Sequence, residues 1–152
     1  MITKPNIKTP ISYYGGNQSV ISHILPLVPQ HEVYTEVYFG GGTVFFAKDP
    51  VYNETINDKL DIVINFYRIL KTNYRQLKKL IDISLISRTM HIQAMHIAQG
   101  KTPADNVTRA WAFWYTCNFS FSCKIGGGIK YANEKNTIVP VTLRNKKAVD
   151  IR

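Results

Sequence analysis

The chain has little of what would betray a metal centre or an anchor. It has two cysteines, Cys117 and Cys123, six apart, and no second cysteine pair to make up a metal-ligand set. A zinc site is therefore not expected, and in a reducing compartment both thiols stay free. No stretch is long and apolar enough to span a bilayer, and the opening residues 1–6 lack the apolar core of a secretion signal. The expected location is the cytoplasm, with no membrane partner. Internal repeats and low-complexity runs are absent. Acidic residues are scarce too, ten against nineteen lysines and arginines, for a net charge of +9.

That scarcity is uneven along the chain. Residues 1–67 carry four basic and six acidic side chains, a net of −2, whereas residues 68–152 carry fifteen and four, a net of +11. A basic rear behind a mildly acidic front suits a protein in which one part meets a polyanion while the other does something else. A solubilising surface would give the same count. At 152 residues, 45% hydrophobic and 19% charged, the chain has the composition and length of one folded domain.

What is present starts with glycine. Gly15-Gly16 precedes a short amphipathic helix, for which Asn17 is the expected N-cap, Val20, Ile21, Ile24 and Leu25 the inner face, and Pro26 and Pro29 the stop. The β-rich run from Val33 to Tyr38 leads into Gly40-Gly41-Gly42 and then the apolar Val44-Phe45-Phe46-Ala47. Asp49-Pro50 ends that helix, and residues 54–58 read as a second strand with Asp58 at its tip. One long helix should follow, with Leu60, Val63, Phe66, Tyr67, Leu70, Tyr74 and Leu77 at spacings of three and four. This β-α-β-α order opens a doubly wound sheet. Residues 72–98 read as helical and basic. Thr102-Pro103-Ala104-Asp105 reads as a helix start with Thr102 as cap, and its helix carries Val107, Ala110, Trp111 and Trp114.

A strand ending in three glycines lets a ligand approach the backbone. A dinucleotide fails as that ligand, because the third glycine of G-x-G-x-x-G falls on Phe45, and no Lys-Ser/Thr pair offers a triphosphate site. An adenosine cofactor without phosphates, such as S-adenosylmethionine, fits better. Asp58, sixteen residues after Gly42, is then placed to accept from ribose hydroxyls. A tight structural turn with an acidic helix cap explains the same residues, and the pattern leaves both readings open.

Three segments together resemble the Dam-type (D12 class) adenine methyltransferases. Residues 11–17, Ile-Ser-Tyr-Tyr-Gly-Gly-Asn, are similar to that family's aromatic-x-Gly-Gly-Lys motif. Residues 36–46, Glu-Val-Tyr-Phe-Gly-Gly-Gly-Thr-Val-Phe-Phe, are similar to its Glu-Pro-Phe-x-Gly-x-Gly cofactor motif. Ile56-Asn57-Asp58 is similar to the next motif, whose acid holds the cofactor ribose. The resemblance covers residues 8–71 well and extends more loosely through Arg109–Tyr131, the family's target-recognition region. Asn17 stands where the family has lysine, and Val37 where it has proline.

The resemblance implies S-adenosylmethionine as cofactor and duplex DNA as partner. Tyr13 would pack on the cofactor, with Gly15, Gly16 and Asn17 beside it. Gly40, Gly41 and Gly42 would let it approach the backbone, flanked by Tyr38 and Phe39, with Glu36 near its methionine part and Asp58 at the ribose. The implied fold is α/β, a partial Rossmann-like sheet with an inserted, mainly helical target-recognition lobe. Residues 1–71 would bind cofactor, 72–135 would form the lobe, and 136–152 would return toward a catalytic part. The family's catalytic Asp-Pro-Pro-Tyr follows that lobe and does not occur here, so no catalytic residue is expected. Asp49-Pro50-Val51-Tyr52 is similar in letters, but its place before the second strand reads as a surface turn.

In the lobe, Lys124 and Lys130 can neutralise phosphates, Asn118, Ser120 and Ser122 can hydrogen-bond to backbone or bases, and Gly126–Gly128 lets a loop enter a groove. Arg109 belongs to the same region. Trp111, Trp114, Phe119 and Phe121 read equally as core. Two functions follow: an adenine-specific DNA methyltransferase present as an N-terminal fragment or truncated copy, inactive alone, or a non-catalytic DNA-binding protein on a degenerate methyltransferase scaffold. The first implies a C-terminal catalytic half, or a homodimer through an exposed sheet edge, as partner.

Overall fold

A computed structural model describes residues 9–130, so the expected return segment 136–152 lies outside the described residues. Strand β1 (Val33–Glu36) pairs in parallel with β2 (Asn53–Ile56), Val33 opposite Asn53 and Glu36 opposite Ile56. A parallel pair needs a crossover, and helix α2 (Thr43–Ala47) lies within it. Both strands end two residues before their expected limits, Tyr38 and Asp58. The chain bends at Val37–Tyr38, and pairing beyond the strands is confined to Asn57, which donates to Glu36 (2.8 Å) and accepts from Phe39 (2.9 Å). Among the described residues the sheet has two strands, a small core compatible with the α/β architecture implied by the sequence. One face carries the half-buried Tyr34, Glu36, Glu54 and Ile56. The other, with Val33, Thr35, Asn53 and Thr55, is exposed.

Helix α1 (Ile21–Ile24) is shorter than its sequence pattern, and Asn17 does not cap it. Asn17–Ser19 instead forms a separate 3-10 turn, in which the carbonyl of Asn17 accepts from Val20, and Val20 is left 44% exposed. Pro26 falls in the first turn of a 3-10 continuation, Leu25–Leu27, where a missing N–H costs nothing.

The single long helix expected after Asp58 is two, α3 (Asp61–Thr72) and α4 (Tyr74–Asp82), separated by Asn73 at φ −129°, ψ 32°. At the break the Thr72 hydroxyl lies within hydrogen-bond distance of both the Arg68 carbonyl and Asn73 Oδ1, a local side-chain alternative to continued helix. The apolar period survives it, and Leu77 is fully buried. Helix α5 (Arg88–Ala98) is capped by Ser87, whose hydroxyl accepts from the Met90 N–H. Helix α6 (Asn106–Phe119) is capped by Asp105, which accepts from the N–H groups of Val107 and Thr108 (2.9 and 3.0 Å), so Thr102 and Pro103 lie outside it.

Helix α6 organises the interior. Residues 112–117 are all buried, and the helix packs on α3 and α5 and along α4. Asn65 of α3, itself buried, donates to the Asn106 carbonyl at the start of α6 (2.8 Å). Burying a ring such as Phe113 stabilises the fold by roughly 1.5–3 kcal/mol. Trp114 is core, whereas Trp111 sits at the edge and donates its indole N–H to Ser84 (2.7 Å). One apolar cluster runs from Ile11 and Phe39 through α3 to α6, so the same helix backs both the glycine turn and the basic rear.

Candidate functional site

The glycine turn lies where β1 ends and α2 begins. Gly40 and Gly42 have φ of +49° and +67°, a region costly for residues with a side chain. A methyl group at Gly42 would lie 2.7 Å from Phe39 Cζ and 2.8 Å from Phe46 Cε2. At Gly40 it would lie 3.0 Å from the Tyr13 ring, and at Gly41 3.0 Å from Tyr13 Cβ. The protein's own aromatic rings thus already fill the space that these glycines free. Tyr13 is held there by a turn of its own, with Gly16 N–H donating to its carbonyl (3.1 Å) and Gly15 at φ +72°. Behind it stands Phe113 of α6, ring centroids 6.1 Å apart.

Asp58 ties this turn to the sheet. Its Oδ2 accepts from Gly40 N–H and its Oδ1 from Leu60 N–H, each at 2.9 Å, so one carboxylate staples the glycine turn and caps the approach to α3. The acidic-cap reading is thereby realised, and lone pairs remain on both oxygens. Burial, then the charge of Asp58, raises the pKa of the Tyr13 phenol, which keeps it protonated.

The other expected cofactor residues spread out. Gly15, Gly16, Asn17 and Tyr38 are exposed, Tyr38 by 83%. Phe39 turns into the core, edge-on to Tyr67 at 4.6 Å, while its neighbour Tyr38 points the other way. Glu36 faces α2, where its carboxylate accepts from Tyr34 Oη (3.0 Å) and from the Phe45 N–H. Burial raises its pKa, while those bonds and Lys48 oppose the rise. The structure therefore gathers Tyr13, Gly40–Gly42 and Asp58 and leaves the rest around them.

Beyond α6 the chain forms a hairpin. Lys130 N–H donates to the Phe119 carbonyl (2.7 Å) and Phe121 N–H to that of Gly128 (2.8 Å), on either side of an antiparallel bridge between Ser120 and Ile129. Ser122 and Cys123 both have positive φ, 55° and 57°, which forms the tip. Ser122, Lys124 and Lys130 are exposed. Ser120 is turned inward with no exposed surface, and Asn118 folds its amide back onto the Trp114 carbonyl (2.8 Å). Arg109 is not brought to the hairpin. It lies at the other end of α6, about 16 Å away at 1.5 Å per residue, and pairs with Asp61 (2.8 Å). Lys124 reaches back instead, its ammonium 5.7 Å from the centroid of the Tyr14 ring, which joins the hairpin to the Tyr13–Asn17 turn.

Residues 49–52 form an irregular connection before β2, exposed at Asp49, Pro50 and Tyr52, the last by 98%, with Val51 half-buried. Beside it an open groove of about 670 Å³, lined by His31, Lys48 and Val51 among others, holds none of the expected site residues, and its Lys48 is ion-paired with Glu54. Three residues were not singled out for function in the sequence. Tyr67, at core spacing, carries a buried hydroxyl without a hydrogen-bond partner, whose pKa burial and the charges of Cys117, Glu36, Tyr13 and Asp58 raise. Phe121, which reads as core, is 69% exposed at the hairpin. His91 of α5 is buried against Ser120. Only the positive charge nearby could have drawn attention to the last two.

Residues 13–140 match the D12 class N6 adenine-specific DNA methyltransferases, and the chain belongs to that family. It is also similar to a type II methyltransferase, M1.LlaDCHI of Lactococcus lactis subsp. cremoris, with 34% identity over 79 residues. That stretch is 51% of this chain and 28% of that protein, so the chain matches under a third of the relative's length. The family match takes in most of the first sequence motif, the whole of the other two and the hairpin. Among the described residues no helix is long and apolar enough to cross a membrane, and no cluster of metal-ligating side chains occurs.

Proposed function

We propose that this chain is the cofactor-binding and DNA-contacting portion of a DNA adenine N6-methyltransferase. It would serve methyl transfer from S-adenosylmethionine to adenine in duplex DNA, and is inactive without a part carrying Asp-Pro-Pro-Tyr. The observation that supports this most is one of placement: Tyr13, Gly40–Gly42 and Asp58 converge at the strand ends, and Lys124 links that cluster to an exposed basic hairpin.

The residues fit S-adenosylmethionine. The Tyr67 hydroxyl is an orphaned buried polar group at this end of the fold, Asp58 keeps lone pairs for ribose hydroxyls, and Tyr13 supplies an apolar wall. When bound, the cofactor supplies an electrophilic methyl group. Asp58 would hold its ribose hydroxyls, with Glu36 toward its methionine end. The hairpin would meet phosphates through Lys124 and Lys130, with Ser122 and the Phe121 ring at the bases. Groups that align the amine of an extruded adenine would come from the Asp-Pro-Pro-Tyr part. That part, or a second copy of this chain, would pair with the edge that the two-stranded sheet leaves open among the described residues. Within this reading, residues 1–71 form the cofactor part of a Rossmann-like domain and 72–135 its target-recognition lobe.

Asn17, in place of the family lysine, favours the second reading, a DNA-binding protein without catalysis. Transfer of a labelled methyl group to mixed-sequence duplex separates the two. The chain alone is expected to give none, and the chain mixed with an Asp-Pro-Pro-Tyr segment from a D12 relative is expected to turn over. Binding of DNA without any measurable cofactor binding would instead establish the second reading.

A further inference from the structure

Beneath the hairpin that presents Ser122, Lys124 and Lys130 lies a buried polar contact from α5. His91 Nε2 of α5 lies 2.9 Å from Ser120 Oγ, and both side chains are buried, at 3% and 0% exposure. Ser120 stands between the two hairpin rungs, at the bridge to Ile129, and one residue before the exposed Phe121. Buried polar side chains hydrogen-bond almost without exception, and each such bond specifies one arrangement among the apolar alternatives.

The surroundings make the contact decisive for that loop. Ser122 and Cys123 both hold left-handed backbone without being glycine, a conformation that persists only where neighbouring structure imposes it. Apolar packing supplies part of the constraint, through Phe119 and Ile125, and Gln99 crowds Gly126. Backbone bonds close the tip itself, Cys123 N–H to the Ser120 carbonyl (3.1 Å) and Gly127 N–H to that of Lys124 (3.0 Å), and the side-chain tie at its root is Ser120. An apolar residue at 91 would leave the serine hydroxyl buried without a partner, and the root would be free to rotate it outward.

We infer that His91 is a positioning residue for the DNA-contacting hairpin, acting through the Ser120 hydroxyl and not by touching DNA itself. The inference rests on the proposed DNA-binding reading, and its test carries one arm that does not. In the whole chain, His91→Leu is compared with His91→Gln, whose amide reaches the same position, and with Ser120→Ala, which leaves His91 in place. The probe is a mixed-sequence duplex, read by anisotropy at fixed salt alongside thermal unfolding.

His91→Leu should weaken binding about three- to tenfold, the loss of one buried hydrogen bond. His91→Gln should recover to within about twofold, and adding Ser120→Ala to His91→Leu should cost less than about twofold more, because the two act as one contact. The second arm is amide exchange at Phe121 and Lys130, the hairpin rungs, which should accelerate in His91→Leu and Ser120→Ala but not in His91→Gln. If His91→Leu does not fold, Ser120→Ala alone decides both arms. Unchanged rung exchange in Ser120→Ala overturns the inference, as does independent, additive loss from the two substitutions. Failure of the unmodified chain to bind duplex would sink the DNA reading alone, and rung exchange would still decide the role of His91.

Discussion

The glycine turn and the hairpin are both tight, glycine-rich connections, yet they are built in opposite senses. At the glycine turn Phe39, Gly41, Gly42 and Thr43 are buried, and the space beside the glycines belongs to Tyr13, Phe39 and Phe46. At the hairpin the packing is at the root, through Phe119 and Ser120, while Phe121, Ser122, Lys124 and Lys130 face outward. A turn that shapes an enclosed site needs its backbone fixed on all sides. A loop that meets a polyanion needs a fixed root and free charges. What crowds a glycine differs accordingly: rings at Gly42, the backbone carbonyls of Phe121 and Lys124 at Gly127, and nothing within 4 Å at Gly128.

Alanine substitution sharpens that contrast most. Gly42→Ala combines a left-handed backbone with contacts under 3 Å to two packed rings, and should cost about 2–4 kcal/mol in chemical unfolding. Gly128→Ala, where a methyl group meets nothing within 4 Å and φ is not positive, should change stability by less than about 0.5 kcal/mol. Equal costs at the two positions would show that the glycine turn is not packed as described.

Asp58 is the next largest effect and separates structure from ligand. Asp58→Ala removes the acceptor of two backbone N–H groups and should cost about 1–3 kcal/mol of stability. Asp58→Asn keeps one acceptor oxygen and should fold with less loss. If the carboxylate also serves ribose, calorimetry should show the asparagine variant binding S-adenosylmethionine about tenfold more weakly, a loss of about 1.4 kcal/mol. Full affinity in a folded asparagine variant would confine Asp58 to its capping role.

At the hairpin the effect is on salt dependence. Neutralising Lys124 and Lys130 together, as glutamines, should reduce the slope of log affinity against log salt by about 1.8, near 0.9 for each phosphate that no longer meets a lysine. Stability should hardly move, since Lys130 is exposed and Lys124 contributes only an exposed contact with Tyr14. An unchanged slope would place DNA on another surface of the basic rear.

How far the sequence could be read follows from these same residues. The glycine turn and the tip acid were legible, because glycine and aspartate have few physical reasons to occur in that order after a strand. What the pattern could not show is who uses the freed space, since Tyr13 lies far away in sequence and only the fold returns it. The α3–α4 break was invisible because Leu77 keeps the apolar period across it, while Thr72 and Asn73 make the break through side-chain bonds. Ser120 and His91 were illegible for a related reason. A serine in a polar loop reads as exposed, and only a long-range partner on α5 turns it inward.

The start of α6 gives the smallest effect and a check on the same lesson. Thr102 reads as the cap because Pro103 follows it, whereas the N–H groups of Val107 and Thr108 in fact converge on Asp105. Asp105→Ala should therefore cost about 1 kcal/mol, and Thr102→Ala close to nothing. The two also differ in pH dependence. The backbone N–H of Thr108, followed by its hydroxyl, holds the Asp105 carboxyl below its ordinary value of 3.8. A depressed folded-state pKa means that the folded chain binds fewer protons than the unfolded one around that pH. The cap's contribution is thus complete above the unfolded value and lost as pH falls through the folded one. Unfolding curves at neutral pH should separate Asp105→Ala from the parent chain, and the gap should close on acidification, while Thr102→Ala follows the parent throughout. A Thr102→Ala penalty equal to that of Asp105→Ala would return the helix start to where the sequence pattern put it.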